Sequence, residues 1–283
     1  MPTEQLHVVF ATDDAYAVGV ATAGNSARIS LGGKRCDITF HIIDAGLSPA
    51  CRGYLTDALS PAGQVAIHTV PDHLVLSRRR KWWTSAALGR LHLGDVVPDG
   101  IRRVIYLDGD TLVLGDLTEL QASDLAGNGI GACINEVGPD RSMILGATAT
   151  VLEHGAQPPG YFNTGVLLVD MDLWRARGIT ERAKDIFNRY GPDIRYVDQD
   201  VLNYLFSGRW TRLPDVWNKL VEHSVQGKFG NGRLDYLTRR EGVVHFIGKE
   251  KPWRDDFPPN ALRRLYAEYV AASTLPAPPA TAA

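Results

Sequence analysis

Val104-Ile105-Tyr106-Leu107-Asp108-Gly109-Asp110 is the stretch on which the fold turns. Its apolar half, rich in β-branched and aromatic side chains, reads as a buried strand, expected over residues 103–107. That strand runs directly into two aspartates separated by one glycine. Alternate residues of an extended chain point the same way, so Asp108 and Asp110 can address one point. Gly109 is expected to let a ligand approach the backbone closely. Two hard oxygen donors suit Mn²⁺ or Mg²⁺ rather than a thiophilic metal. A diphosphate brought beside two bare aspartates would be repelled by roughly 4 kcal/mol per like-charge contact at ~4 Å in an effective dielectric of about 20. A divalent cation between them reverses that sign. Asp-Gly is also common in surface turns, and the tripeptide alone leaves that reading open.

Working outward, apolar runs alternate with helical periodicity. Strands are expected at 6–12, 38–44, 64–70, 129–134, 162–171 and 243–247. Helices are expected at 16–31, 48–59, 82–95, 179–190, 198–206 and 259–272, with Ser48 as an N-cap ahead of Pro49. Such alternation predicts an α/β fold: a Rossmann-like, mostly parallel central sheet with helices on both faces. Catalytic groups in such folds gather beyond the carboxyl ends of the strands, where Asp13-Asp14 and Asp108–Asp110 both fall. Residues 1–273 read as one domain. The Pro- and Ala-rich stretch 274–283 reads as a disordered tail. The Gly-, Pro- and Asp-rich connection 135–160 reads as a lid or disordered loop.

The bulk composition narrows the function. The chain has 283 residues, 45% apolar and 22% charged, with a net charge of −2. That balance sets up no field for nucleic acid or an anionic membrane. Cys36, Cys51 and Cys133 are odd in number and widely spaced, which disfavours both a disulfide framework and a thiolate zinc site. Buried thiols in a cytoplasmic protein are expected. No leader-like segment and no apolar run long enough to span a bilayer is read.

Three more polar clusters stand beside apolar runs. Asn163, in Tyr161-Phe162-Asn163-Thr164-Gly165, can donate to and accept from sugar hydroxyls, or simply cap a strand end. In Val197-Asp198-Gln199-Asp200, Asp198 is by default a helix N-cap. It can equally fix sugar hydroxyls, with Gln199 beside a reacting carbon. His245 on an apolar strand is by default a satisfied core histidine, yet its imidazole would complete a metal site with two carboxylates. After it, Gly248 opens a turn and Lys251 can meet a phosphate as a point charge. The run Ser77-Arg78-Arg79-Arg80-Lys81 reads as a solvated face or as a site for an anionic acceptor or the donor phosphates.

Taken in order, FATDDAY, FHIIDAGLS, GRLHLGDVV, VIYLDGDTLV, GACINE, YFNTGVLLVDMDLW, DQDVLN and HFIGKEKPW resemble glycosyltransferase family 8, the glycogenin and bacterial lipopolysaccharide galactosyltransferase family. The resemblance covers about Leu6 to Trp253. It implies a GT-A fold, a UDP-sugar donor, Mn²⁺ or Mg²⁺, and hexose transfer to a hydroxyl acceptor with retention of configuration. Carried onto this chain, it implies Asp108, Asp110 and His245 as metal ligands. Asp108 would also touch the ribose, and Ala11, Thr12 and Asp13 would hold uracil and ribose. Arg90, Asn163, Asp198 and Gln199 would surround the donor sugar, and Gly248 and Lys251 would hold the diphosphate. The expected chemistry is front-face attack with Gln199 at the cationic carbon; a double displacement through Asp198 ranks second. Two positions depart from the family pattern. Ala15 stands where Asn is frequent, and Asn135 where the galactosyltransferase-like members are acidic. Competing readings are a nucleotidyltransferase, for which the Gly-rich loop after the first strand is missing, and a self-glycosylating or non-catalytic sugar-nucleotide binder.

Overall fold

Two consecutive β-α-β units build the first quarter of the chain, and the rest of the sheet grows from their first strand. The computed structural model describes residues 4–70, 85–137, 143–144, 160–190, 194, 196–221 and 231–280. Strand β1 (Glu4–Thr12) leads through α1 (Ala17–Ile29) to β2 (Cys36–Asp44), and through α2 (Pro49–Leu59) to β3 (Gln64–Thr69). All three strands are parallel. The expected cap of α2 is present: Ser48 Oγ accepts from Cys51 N at 3.2 Å, with proline at the first turn.

The remaining strands are β4 (Arg103–Leu107), β5 (Thr111–Val113), β6 (Ile130–Ile134), β7 (Glu136–Val137), β8 (Met143–Ile144), β9 (Phe162–Asp170), β10 (Thr211–Arg212), β11 (Lys219–Val221) and β12 (Val243–Phe246). The main sheet has the order β10-β6-β9-β4-β1-β2-β3. It is mostly parallel, as expected; β9 runs antiparallel to both neighbours, β4 and β6. Its inner strands are apolar on both faces because both faces are covered. Leu6, Val8 and Phe10 of β1 join the core beneath α1 and α2, while Val9 and Ala11 join Tyr106, Leu167 and Trp174 on the other side.

A second, three-stranded sheet, β11-β12-β5, was not expected. Of its strands, β12 matches the one expected at 243–247, while β5 and β11, three residues each, are too short to read among turn residues. It forms its own core with the C-terminal helix Ala261–Ala272. Asp108–Asp110 is the link by which the chain leaves the large sheet at β4 and enters the small one at β5.

Most boundaries shift by a residue or two, and three regions differ more from expectation. The helix expected at 82–95 is broken within its described part into Ser85–Gly89, a 3-10 turn Arg90–His92, and Leu93–Val96. A side chain at Gly89 would come within 2.5 Å of Ala11 Cβ, so the chain passes hard against β1 here before turning. The last helix starts at Ala261 because Asn260, not Pro259, caps it, with Oδ1 accepting from Leu262 N and Arg263 N. Beyond Ser273 no helix or strand runs through residue 279, yet Leu275 packs on the first core cluster, so the start of the tail is seated. The basic run 77–81 lies outside the described residues, as does most of the 135–160 connection.

Candidate active site

The pairing of β12 with β5 brings the site together. His245 pairs with Thr111, one residue beyond Asp110, and Phe246 N donates to Asp110 O at 2.9 Å. A contact spanning more than 130 residues is thereby reduced to a register. His245 Nε2 lies 3.2 Å from Asp110 Oδ1 and 3.7 Å from Asp108 Oδ2. One ligand atom from each of these three residues falls within 4.8 Å of the others, so together they could hold a metal ion. Gly165 makes the room. A Cβ there would sit 2.1 Å from His245 Cε1 and 2.8 Å from Asp108 Oδ2. The glycine read as important for ligand approach, Gly109, has a different constraint: a Cβ would be 2.8 Å from Val20 Cγ2 of α1. It lines the cleft, but its lack of a side chain serves packing.

Two cations flank the carboxylates. Arg90 Nη2 donates to Asp108 Oδ1 and Nη1 to Thr164 O, both at 2.6 Å, while Nε lies 3.0 Å from Asp198 Oδ2. Its guanidinium also lies over the Tyr106 ring at 4.7 Å, and Tyr106 donates its hydroxyl to Asp108 Oδ1 at 3.1 Å. Lys251, 2% exposed, donates to Asp110 Oδ2 and to Phe246 O, each at 2.6 Å. Burial alone would raise the Asp110 pKa, but the Lys251 ammonium beside it is the chief cause holding the carboxyl below the usual carboxylate range. Burial raises Asp198, and Arg90 and Thr164 counter only part of that.

Asp198 is not the expected N-cap. Tyr196 precedes the helix Val197–Leu205, and Asp198 lies in its first turn with Oδ2 accepting from Thr164 Oγ1 at 2.7 Å. Val197 has φ +27°, a strained value for a β-branched residue, at the point that aims Asp198 and Gln199. Gln199 Oε1 accepts from Asn163 Nδ2 at 3.2 Å and Thr164 N at 3.4 Å. Asn163 has no hydrogen-bonding position left over. Its Oδ1 accepts from Gly165 N and Asn218 Nδ2, and its Nδ2 donates to Asn135 Oδ1 and to Gln199.

Ala11, Asp13, Arg90, Asp108, Gly109 and Asp110 share one open cleft, with Tyr16 on its wall. Thr12 is buried behind it, its hydroxyl on Asp13 O. Asp13 Oδ1 is buried there with no hydrogen-bond partner. Gly248 lies in the turn between His245 and Lys251. Sequence reasoning missed Tyr106, Thr164 and Asn218. The two-residue period that aligned Asp108 with Asp110 would also have aligned Tyr106. Asn218, an amide beside the apolar run of β11, carried a fainter signal.

Comparison with known proteins shows the family and the fold. The family model for glycosyl transferase family 8 matches residues 7–256. The general stress protein A of Bacillus subtilis is 30% identical over 89% of this chain and 89% of its own. A lipopolysaccharide 1,2-glucosyltransferase of Escherichia coli K12 is 25% identical over 89% of this chain and 73% of its own. The crystal structure of the galactosyltransferase LgtC with donor and acceptor sugar analogs superposes with a TM-score of 0.75 at 26% identity, covering 96% of this chain and 98% of that one. The fold is therefore the GT-A fold. No helix among the described residues is long and apolar enough to cross a membrane. With the cluster Asp108, Asp110, His245 set at the junction of its two sheets, this chain belongs to glycosyltransferase family 8.

Proposed function

We propose that this protein transfers a hexose, glucose or galactose, from a UDP-sugar to a hydroxyl acceptor with retention of configuration, using Mn²⁺ or Mg²⁺ held by Asp108, Asp110 and His245. The observation that carries the reading is the convergence of two carboxylate oxygens and one imidazole nitrogen on one point, with a glycine leaving space beside them. Oxygen and imidazole donors of this kind suit a divalent first-row metal or Mg²⁺. When bound, that ion supplies Lewis-acid stabilisation of the departing diphosphate.

The chain's own residues do the rest. Asp13, in the cleft wall beside Ala11, offers its carboxylate to a ribose or uracil donor group. Lys251 stays charged, since Asp110 raises its pKa against burial, and it offers the diphosphate a buried cation. Arg90 braces Asp108 and Asp198 together. Gln199, gripped by Asn163 through its carbonyl, is placed to steady the oxocarbenium-like carbon or orient the acceptor. Asp198 Oδ2 is occupied by Thr164 and Arg90, which suits an orienting carboxylate better than a free nucleophile. That favours front-face attack over double displacement. The relatives' names include glucosyl- and galactosyltransferases, which supports a hexose and leaves both sugars in play.

The test is UDP release from a panel of UDP- and GDP-sugars with Mn²⁺ and with chelator. The expected result is metal-dependent turnover of one UDP-hexose, lost in Asp110→Ala. Release that ignores the chelator, or a calorimetric titration showing no UDP binding with Mn²⁺, would overturn the reading.

A further inference from the structure

We propose that Asn218 is a positioning residue that fixes the ring of His245 with its Nε2 lone pair facing the two aspartates, and ties that ring through Asn163 to Gln199. This rests on the metal reading of the site.

The polarity of the chain of side chains is set by one group that cannot change role. The backbone N–H of Gly165 donates to Asn163 at 2.8 Å, so the Asn163 atom facing it is the oxygen. That same oxygen receives a second donor from Asn218 at 2.8 Å, which must be the Asn218 amide nitrogen. The Asn218 oxygen is then the atom 3.0 Å from His245 Nδ1, and an oxygen there requires Nδ1 to carry the proton. A neutral imidazole protonated at Nδ1 has its lone pair at Nε2. Nε2 is the atom that faces Asp110 Oδ1 and Asp108 Oδ2. In the singly protonated form that ligates a metal, the three groups thus present electron pairs and no proton to one another, an arrangement that a cation satisfies.

In the other direction, fixing the Asn163 oxygen sends its NH₂ toward Asn135 Oδ1 at 3.0 Å and Gln199 Oε1 at 3.2 Å. Asn218, Asn163 and His245 are all buried, so no water can substitute for a missing partner cheaply. A metal-ligating histidine usually needs such an outer partner, and removing one costs about 10- to 100-fold in metal affinity or activity. Asn218 differs from a simple outer partner because its two ends serve two functions. The oxygen orients the metal ligand; the nitrogen orients the amide that holds Gln199.

Two variants separate those ends. In Asn218→Asp an oxygen still accepts from His245 Nδ1, but no donor faces Asn163. In Asn218→Leu both are lost. The expected result is Mn²⁺ affinity, measured by paramagnetic resonance of free Mn²⁺, retained in Asn218→Asp and reduced about 10- to 100-fold in Asn218→Leu. The kcat should fall at least about tenfold in both, with donor KM rising chiefly in Asn218→Leu. A third measurement needs no variant: ¹⁵N shifts of His245 in the metal-free wild type should report a proton on Nδ1. A proton on Nε2 instead, or Mn²⁺ affinity and kcat unchanged in both variants, would overturn the role of Asn218. Asp110→Asn is the control for the underlying reading. If the wild type binds no Mn²⁺, or Asp110→Asn binds it equally well, the metal assignment fails, and the tautomer measurement still decides the role of Asn218.

Discussion

Two buried imidazoles on this fold have opposite surroundings. His245, 3% exposed, faces the two carboxylates that line the cleft. His41, 2% exposed, faces only other imidazoles: its Nε2 is 3.1 Å from His7 Nδ1 and its Nδ1 is 3.0 Å from His68 Nε2. The three form a ladder across β1, β2 and β3, each standing two residues beyond its neighbour's register partner. A neutral His41 has one N–H, so it donates to one neighbour and accepts from the other, and the ladder is complete by itself. The Asp108–Asp110–His245 cluster is not complete in that sense. It joins two anionic groups and a lone pair, and its neighbours Arg90 and Lys251 balance charge without supplying the missing central partner. The difference teaches how to tell a structural histidine from a functional one: the structural one closes its hydrogen-bond count within the protein, while the functional one is left pointing at acceptors.

The sharpest way to break this comparison is to fill the space that the site keeps open. Gly165→Ala puts a Cβ against His245 and Asp108. We expect turnover to fall at least about 10³-fold, on the scale of losing a main electrostatic stabiliser, with Mn²⁺ binding abolished. Stability should drop by only about 1–3 kcal/mol from overpacking. Near-normal turnover would show that the ligands converge elsewhere. Next comes Arg90→Met. It leaves Asp108 and Asp198 without their shared cation, and removing one partner of a buried charge set costs about 3–5 kcal/mol. A denaturation midpoint within experimental error of the wild type would remove Arg90 from this role.

Much of this was legible in the chain because it is local. The strand into Asp108-Gly109-Asp110, the Ser48-Pro49 cap and the β-α-β alternation each depend on neighbours a few residues apart. His245 was legible as a residue type beside a turn and by family resemblance, but its pairing with Thr111 belongs to a register that sequence spacing does not express. The same holds for Asn218. Its significance comes from touching Asn163 and His245, 55 and 27 residues away. Asp198 misled for a related reason: first-turn carboxylates usually serve the helix, and only the approach of Arg90 from another part of the chain redirects this one. The histidine ladder gave no signal at all, since single histidines on three strands are unremarkable until the strands lie side by side.

The ladder supplies the remaining prediction, and the smallest effect. Burial, with His68 and His7 close by, lowers the His41 pKa from 6.5 to about 4. Burial also lowers His7 and His68. Above pH 6.5 His41 is neutral in both folded and unfolded chains and contributes nothing to the pH dependence. As pH falls from 6.5 toward 4, the unfolded chain takes up a proton that the folded one refuses, so stability is lost through that window. A shift of this size corresponds to at most ~3 kcal/mol from His41, less what solvent relaxes. Chemical denaturation at pH 7.5 and pH 5 measures it. His41→Leu should change stability at pH 7.5 by only about 1 kcal/mol, because His7 and His68 are only partly buried and can turn to water. The same variant should flatten the loss between pH 6.5 and 4, leaving turnover at pH 7.5 untouched. An undiminished acid slope in His41→Leu would move the pH dependence to other groups. A loss of turnover would mean that the ladder and the cleft are coupled, and that a self-contained histidine cluster is not the silent scaffold that its hydrogen bonds describe.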